Sequence, residues 1–275
     1  MAAPPSGRTL RTKIASGLVL AAVALACAWA GGWPWVVLVA LVGAVLAWEW
    51  ASLCAGRPAL RPDLAGGLSM AVVCAAILLT GWLGVRVGLP VLAAGAAVSG
   101  LVAAGKRSAN HFWRMLGMFY VGVPCLAIVW LRGSADAGLP VLLWALALVW
   151  ATDVAAYVAG KRLGGPKLAP RISPGKTWAG LAGGALAAAA VGAAAALWAG
   201  TGPVAGLVVL SAALALVEQA GDLIESAAKR RFGVKDSSAI IPGHGGFLDR
   251  VDGLMAVAVA VAGLTVGAGG NILTW

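Results

Sequence analysis

Lys235, Asp236, His244, Asp249, Arg250 and Asp252 fall within one glycine-rich stretch, VKDSSAIIPGHGGFLDRVD (Val234–Asp252), of a chain that is otherwise 61% hydrophobic and only 11% charged. Charge in hydrocarbon is costly, so such a cluster belongs at a membrane edge or in a wet cavity with partners. Within it, PGHGG (Pro242–Gly246) supplies turn-forming residues whose backbone N–H groups can meet phosphate oxygens, with His244, Gly245 and Gly246 shaping the turn. Asp249 and Asp252 are three apart and share a face if helical. A second group, Glu218, Asp222 and Glu225, is spaced i, i+4, i+7, which puts three carboxylates on one helical stripe. Like charges that close destabilise a helix unless a cation intervenes. Lys229 continues the stripe four residues beyond Glu225, so an ordinary surface ion pair between those two is equally open. Hard oxygen donors without a His or Cys cluster suit Mg²⁺ rather than zinc.

A third group is RISPGKTW (Arg171–Trp178). Its GKT invites a nucleotide-binding P-loop, but Pro170 stands five residues before Gly175 where that loop has Gly, and no strand is predicted ahead of it. What remains is a short basic loop bearing Ser173, Lys176 and Thr177, leading into a helix whose N-terminal amides can bind an anion. Alternatively, Ser173 with Pro174 simply starts that helix. Finally, Asp153 lies in WATDVAAYVAGKRLGG (Trp150–Gly165), about 21 Å along a helix entered near Leu139. A carboxylate at that depth needs a cation, either a metal or a neighbouring Lys or Arg.

The elements that must position these groups are membrane helices. A mean hydropathy of +0.93 exceeds what a soluble core requires, and the apolar runs recur along all 275 residues. The fold class is all-α, a polytopic membrane protein. Nine spans are predicted: Ile14–Ala30, Trp33–Ala55, Gly66–Gly81, Gly88–Gly105, Phe112–Leu131, Leu139–Gly160, Trp178–Gly200, Pro203–Gly221 and Gly253–Trp275. The helix begun at Pro203 has no strong breaker before Arg231 and would be about 42 Å long, so its final turns should project beyond the ~30 Å of hydrocarbon into the cytoplasm. The Gly- and Ala-rich run Gly180–Gly200 lets backbones approach closely. RTLRTK ahead of the first apolar run resembles a signal peptide, but with eight further spans behind it the run is read as a retained helix.

With a cytoplasmic N-terminus, seventeen of the twenty Lys and Arg fall on inner segments; Arg114 sits at the inner end of its helix and only Arg86 and Arg132 fall outside. The net charge of +10 is therefore a cytoplasmic face toward anionic lipid, and nucleic acid is not an expected partner. Cys27, Cys54, Cys74 and Cys125 lie in predicted spans without a CxxC pair, so they are packing residues rather than a disulfide or zinc framework. Trp residues gather near helix ends as an interfacial belt. Seven of the ten acids follow residue 150, so residues 139–275 are expected to carry the chemistry and residues 1–138 to provide scaffold and lipid access. Glu49, between Trp48 and Trp50, is the one N-terminal residue that stands apart.

The stretch SAAKRRFGVKDSSAIIPGHGGFLDRVD (Ser226–Asp252) resembles the C-terminal signature of the phosphatidate cytidylyltransferases, or CDP-diacylglycerol synthases. GDLIES, SPGKTW and DVAAYVAGKRLG also fit, so the resemblance covers Asp153 to Asp252 by motif and the whole chain by span count. Ala228 replaces a larger apolar residue, and Ala179 stands where many members carry Glu. The resemblance implies transfer of a cytidylyl group from CTP to phosphatidic acid in phospholipid synthesis, in a homodimeric, all-helical inner-membrane enzyme with a polar cavity open to the cytoplasmic side and the lipid, which requires Mg²⁺, with room for a second cation. It makes Asp222 and Asp249 the principal metal ligands, with Asp252 and Asp153 as additional or supporting ones. Ser173, Lys176, Lys229, Arg230 and Lys235 would hold phosphates; Tyr157, Thr177, Asp236, His244, Gly245, Gly246 and Arg250 complete the substrate contacts. His244 as a general acid or base is the lesser option. Rivals are a related CTP-using enzyme with another lipid acceptor and an anion transporter. A transporter would place its charges near the midplane rather than at one end.

Overall fold

Helix-breaking residues divide a uniformly apolar chain into its elements. The structure, a computed structural model, describes residues 7–55, 63–105, 110–134, 137–200, 204–241, 245–269 and 272–274. His244 and Pro242 of the predicted turn, with Arg57, Arg61, Lys106, Arg107, Asp136 and Trp275, lie outside the described residues. Among those described, nine α-helices follow one another: α1 (Gly7–Ala30), α2 (Gly32–Cys54), α3 (Leu64–Leu83), α4 (Val85–Gly105), α5 (His111–Gly133), α6 (Gly138–Leu163), α7 (Trp178–Ala199), α8 (Val204–Arg231) and α9 (Leu248–Ala268). A two-stranded antiparallel hairpin, β1 (Lys167–Ala169) and β2 (Ser173–Thr177), separates α6 from α7, and a 3-10 turn, Ile272–Thr274, follows α9. Eight helices, α2 to α9, are long and apolar enough to cross a bilayer. Helix α1, whose side chains are described from Gly17 onward, carries a shorter apolar stretch, Gly17–Ala30. This is a multi-pass membrane protein.

Several boundaries differ from expectation, α1 beginning at Gly7 rather than Ile14 and α9 ending at Ala268 rather than Trp275. Helix α6 stops at Gly164 (φ 63°) and Gly165 (φ 88°), both in the left-handed region that favours glycine, and Pro166 cannot continue it. The segment expected as a loop then doubles back as a hairpin with Lys167 opposite Thr177 and Ala169 opposite Ser173. An edge strand tolerates Pro174. Ser173 does not start α7; Thr177 does, its Oγ1 accepting from the Gly180 N–H at 3.0 Å. Helix α9 begins at Leu248, five residues before the predicted Gly253, which makes both Asp249 and Asp252 helical.

The chain forms two compact units, residues 1–129 with 232–250 and residues 130–231 with 251–275. In the first, α2, α3 and α4 pack in sequence, with Ile77, Val73 and Leu46 buried. Asp63 caps α3, accepting from Gly66 N–H at 2.8 Å, and also accepts from Arg114 Nη1 at 2.8 Å. The Trp50 indole donates to the Trp113 carbonyl at 2.8 Å, above a Gly117 whose Cβ would run into that ring. In the second unit, α7 lies between α6 and α8. Its buried residues recur at every fourth position: Gly180, Gly184, Ala188, Gly192 and Ala196. A Cβ on Gly180 would come within 2.9 Å of the Ala156 carbonyl oxygen, and one on Gly192 within 2.5 Å of the Leu207 carbonyl oxygen. The small-residue run therefore sets how closely α6, α7 and α8 approach. Around it Leu148, Leu214, Val257 and Val261 form the core. All four cysteines are free and helical, with Cys54 and Cys125 buried, as packing residues should be.

Candidate active site

Into the second unit's apolar packing α6, β2, α8 and α9 project a compact polar group. Asp222, Glu225 and Asp252 each offer a carboxylate oxygen, and these three atoms lie within 4.8 Å of one another. Helix α8 presents Asp222 and Glu225 one turn apart, and the early start of α9 brings Asp252 in as a helical residue. Lysines balance the charge. Lys176 Nζ donates to Asp222 Oδ2 at 2.6 Å and to Gln219 Oε1 at 2.8 Å, while Lys229 Nζ lies 2.5 Å from Glu225 Oε2. This last pair is not the surface ion pair allowed by the sequence. Glu225 is 1% exposed and Lys229 11%, because α8 buries that face instead of turning it to solvent.

Hydrogen bonds fix the orientation of each group. Ser226 Oγ donates to Asp222 Oδ1 at 3.1 Å. Gln219 Nε2 donates to Glu218 Oε2 at 2.7 Å, so Gln219 bridges Lys176 and Glu218. Asp153 on α6 hydrogen-bonds the Glu218 carboxyl and acts electrostatically on Asp252. Gly253 is needed beside them, since its Cβ would come within 2.8 Å of Glu218 Oε1. Lys176 is the last residue but one before α7, so capping by Thr177 also fixes the root of this lysine. All donors in the Asp222, Glu225 and Asp252 group are hard carboxylate oxygens, which fits Mg²⁺ or a similar cation.

In the first unit, Asp249 turns back on the glycine-rich segment. Its Oδ2 accepts from Ser237 N–H at 3.1 Å, Ser237 Oγ at 3.1 Å and Gly246 N–H at 2.9 Å. Ile241 N–H donates to the Gly245 carbonyl at 3.0 Å, an isolated antiparallel bridge. Gly245 has φ 85° and Gly246 faces Ser237 and Glu49 with no room for a side chain. Glu49, 0% exposed, reaches this segment from α2. Its Oε1 accepts from Ser238 Oγ at 2.5 Å and Phe247 N–H at 2.9 Å, and its Oε2 from Leu248 N–H at 2.6 Å.

The remaining predicted contacts lie on the surface of the chain. Lys235, Asp236, Arg230 and Arg250 are exposed. Arg230 Nε donates to the Ile172 carbonyl at 3.3 Å, tying the end of α8 to the hairpin that carries Ser173. Tyr157 is exposed on α6 with Lys161 Nζ 5.6 Å from its ring centroid, a cation–π arrangement. Gln219, Ser226, Ser237 and Ser238 were not singled out by sequence reasoning. For Ser226 a signal existed, since it stands four residues beyond Asp222 on the same helix.

The model of the cytidylyltransferase family matches residues 11–266. The phosphatidate cytidylyltransferase of Brucella suis biovar 1 (strain 1330) is 41% identical over 249 residues, 90% of this chain and 90% of that protein. The phosphatidate cytidylyltransferase of Haemophilus influenzae is 45% identical over 143 residues, half of each chain. That of Bacillus subtilis (strain 168) is 41% identical over 143 residues, 52% of this chain and 53% of its own.

Proposed function

This chain belongs to the cytidylyltransferase family and is a phosphatidate cytidylyltransferase, and we propose that the polar group carried by α6, β2, α8 and α9 is where it joins CTP to phosphatidic acid. An oxygen of the phosphatidate phosphate attacks the α-phosphorus of CTP in line. The new P–O bond forms as the bond to the β-phosphate breaks, and pyrophosphate leaves with the electron pair, giving CDP-diacylglycerol. The second pKa of a phosphate monoester is about 6, so the nucleophile is already largely dianionic at neutral pH and no general base is needed. The harder task is to bring two polyanions together.

The observation that carries this reading is the Lys176 ammonium, paired with Asp222 beside Glu225 and Asp252. Asp222 and Asp252, supported by Glu225 and Asp153, would hold Mg²⁺; Asp249 keeps the ligand role implied by the resemblance. Mg²⁺ bound there supplies charge neutralisation for the triphosphate and the attacking oxygen. Lys176, held by Gln219 and Asp222, supplies a fixed positive charge that can exchange its carboxylate partner for a phosphate oxygen. Lys229 does the same beside Glu225. Ser173, Thr177 and Arg230 border the hairpin end of the site, and Lys235, Asp236, His244, Gly245, Gly246, Arg250 and Tyr157 are proposed as further substrate contacts.

The inner-segment excess of Lys and Arg supports a cytoplasmic N-terminus and active site, so CTP arrives from the cytoplasm and the lipid from the bilayer. Residues 1–138 serve as scaffold and lipid access, residues 139–275 carry the catalytic groups, and the working form is a homodimer. The test is purified protein with CTP, Mg²⁺ and a panel of lipid phosphates. Release of pyrophosphate with CDP-diacylglycerol only when phosphatidate is present is expected; equal turnover with an unrelated lipid phosphate, or none with phosphatidate, would overturn the assignment.

A further inference from the structure

Glu49 is a carboxylate buried in a membrane helix, on the part of the chain that otherwise reads as scaffold, and every partner found for it belongs to the 237–248 segment. Two of those donors are the N–H groups of Phe247 and Leu248, at 2.9 and 2.6 Å. They stand at the start of α9, among the amides that a helix leaves without internal acceptors. Such groups are usually capped by a residue a few positions upstream. Here a side chain 198 residues away in sequence does so. The other two donors are hydroxyls, Ser238 Oγ at 2.5 Å and Ser237 Oγ at 3.4 Å. Ser237 is shared: its hydroxyl and its N–H both lie 3.1 Å from Asp249 Oδ2. Gly246 completes the arrangement, because a Cβ there would come within 2.6 Å of Glu49 Oε1.

We propose that Glu49 is a positioning residue for catalysis: it holds the start of α9 and the Ser237–Ser238 turn, and through Ser237 it holds the carboxylate of Asp249. That role rests on the reading of Asp249 as a metal ligand. It also explains why a carboxylate stands at residue 49, since only an acceptor with two oxygens and no hydrogen serves four donors. Gln at that place keeps the shape but turns an NH₂ toward groups that are themselves donors.

The test is hydrogen–deuterium exchange on the full-length, metal-free protein in detergent, comparing wild type, Glu49→Gln and Ser238→Ala. Loss of a charge-assisted bond should speed exchange in peptides covering 237–248 by at least about tenfold in Glu49→Gln. Ser238→Ala, which leaves the buried carboxylate in place, should do so by about threefold, and peptides of α7 and α8 should be unchanged in both. The Mg²⁺ concentration for half-maximal turnover should rise in the same order. Unchanged exchange across 237–248 in both variants would overturn the proposal, and so would an equal loss of protection in every peptide. Asp249→Asn run alongside addresses the underlying reading: loss of turnover supports it, whereas normal turnover would overturn the metal role while leaving the exchange result to judge Glu49's grip on the segment.

Discussion

Replacing Asp222 with Asn should separate the two tasks of the acidic group, because the charge at this position opposes its neighbours and attracts a lysine to a similar extent. With oxygens within 4.8 Å and an effective dielectric of about 20, each of Glu225 and Asp252 repels Asp222 by roughly 3.5 kcal/mol or more. The Lys176 ammonium at 2.6 Å attracts it by about 6 kcal/mol on the same scale. These contributions nearly cancel, and Asn keeps its one oxygen as an acceptor for Lys176 while its NH₂ can donate to the Ser226 hydroxyl. The metal-free fold should therefore change by no more than about 2 kcal/mol. Mg²⁺ binding should change a great deal. A ligand at a hundredfold excess over its Kd stabilises a fold by about 2.7 kcal/mol, and Asp222→Asn should forfeit most of that together with about 10²–10³-fold in turnover. The thirteen tryptophans give an intrinsic fluorescence signal for thermal unfolding in detergent, recorded in EDTA and across a Mg²⁺ titration beside initial rates with CTP and phosphatidate. If Asp222→Asn retains the Mg²⁺-dependent rise in melting temperature and near-normal turnover, the assignment of this carboxylate is wrong.

Other outcomes follow from the same geometry. Gly192→Val would drive its side chain into Ser211 and the Leu207 carbonyl, and should cost about 1–3 kcal/mol of stability as overpacking does, seen as a lower melting temperature at unchanged Mg²⁺ dependence. Ala179→Glu should alter turnover less than about fivefold, since a single exposed ion pair contributes about 1 kcal/mol at most; steady-state rates decide it. A cysteine placed at Arg171 in intact cells should resist an impermeant thiol reagent until the membrane is opened, as the proposed cytoplasmic side of this hairpin, argued from the Lys and Arg distribution, requires.

Periodicity and charge made the helices legible, including the unbroken run of α8 to Arg231, because apolar segments of span length admit few other structures. The hairpin at 167–177 was not legible, since its strands are three and five residues long and carry Pro174 and Gly175. Local charge concealed the start of α9: the predicted span begins at Gly253 and leaves the helical state of Asp249 open, whereas acceptors for the amides at the helix start come from Glu49 and Asp249 itself. The i, i+4, i+7 stripe on α8 identified Asp222 and Glu225 as neighbours, but not that Glu225 and Lys229 would be buried, because which flank of a stripe is covered depends on the helix packed against it. Glu49 was noticeable only as a charge between two tryptophans; its partners lie almost two hundred residues on, beyond the reach of any local pattern.

The fourfold spacing of small residues along α7 also restricts how this chain can vary in length. One residue inserted between Gly184 and Gly192 would turn the rest of the helix by about 100°, swinging Gly192 out of the seam and offering the bulkier Val191 in its place. Point substitutions on the outward faces of α7, where Leu186, Leu197 and Trp198 already stand exposed, disturb nothing of the kind. Relatives of this chain should thus differ freely in the composition of that outer face while gaining or losing residues only in the connections on either side of the helix.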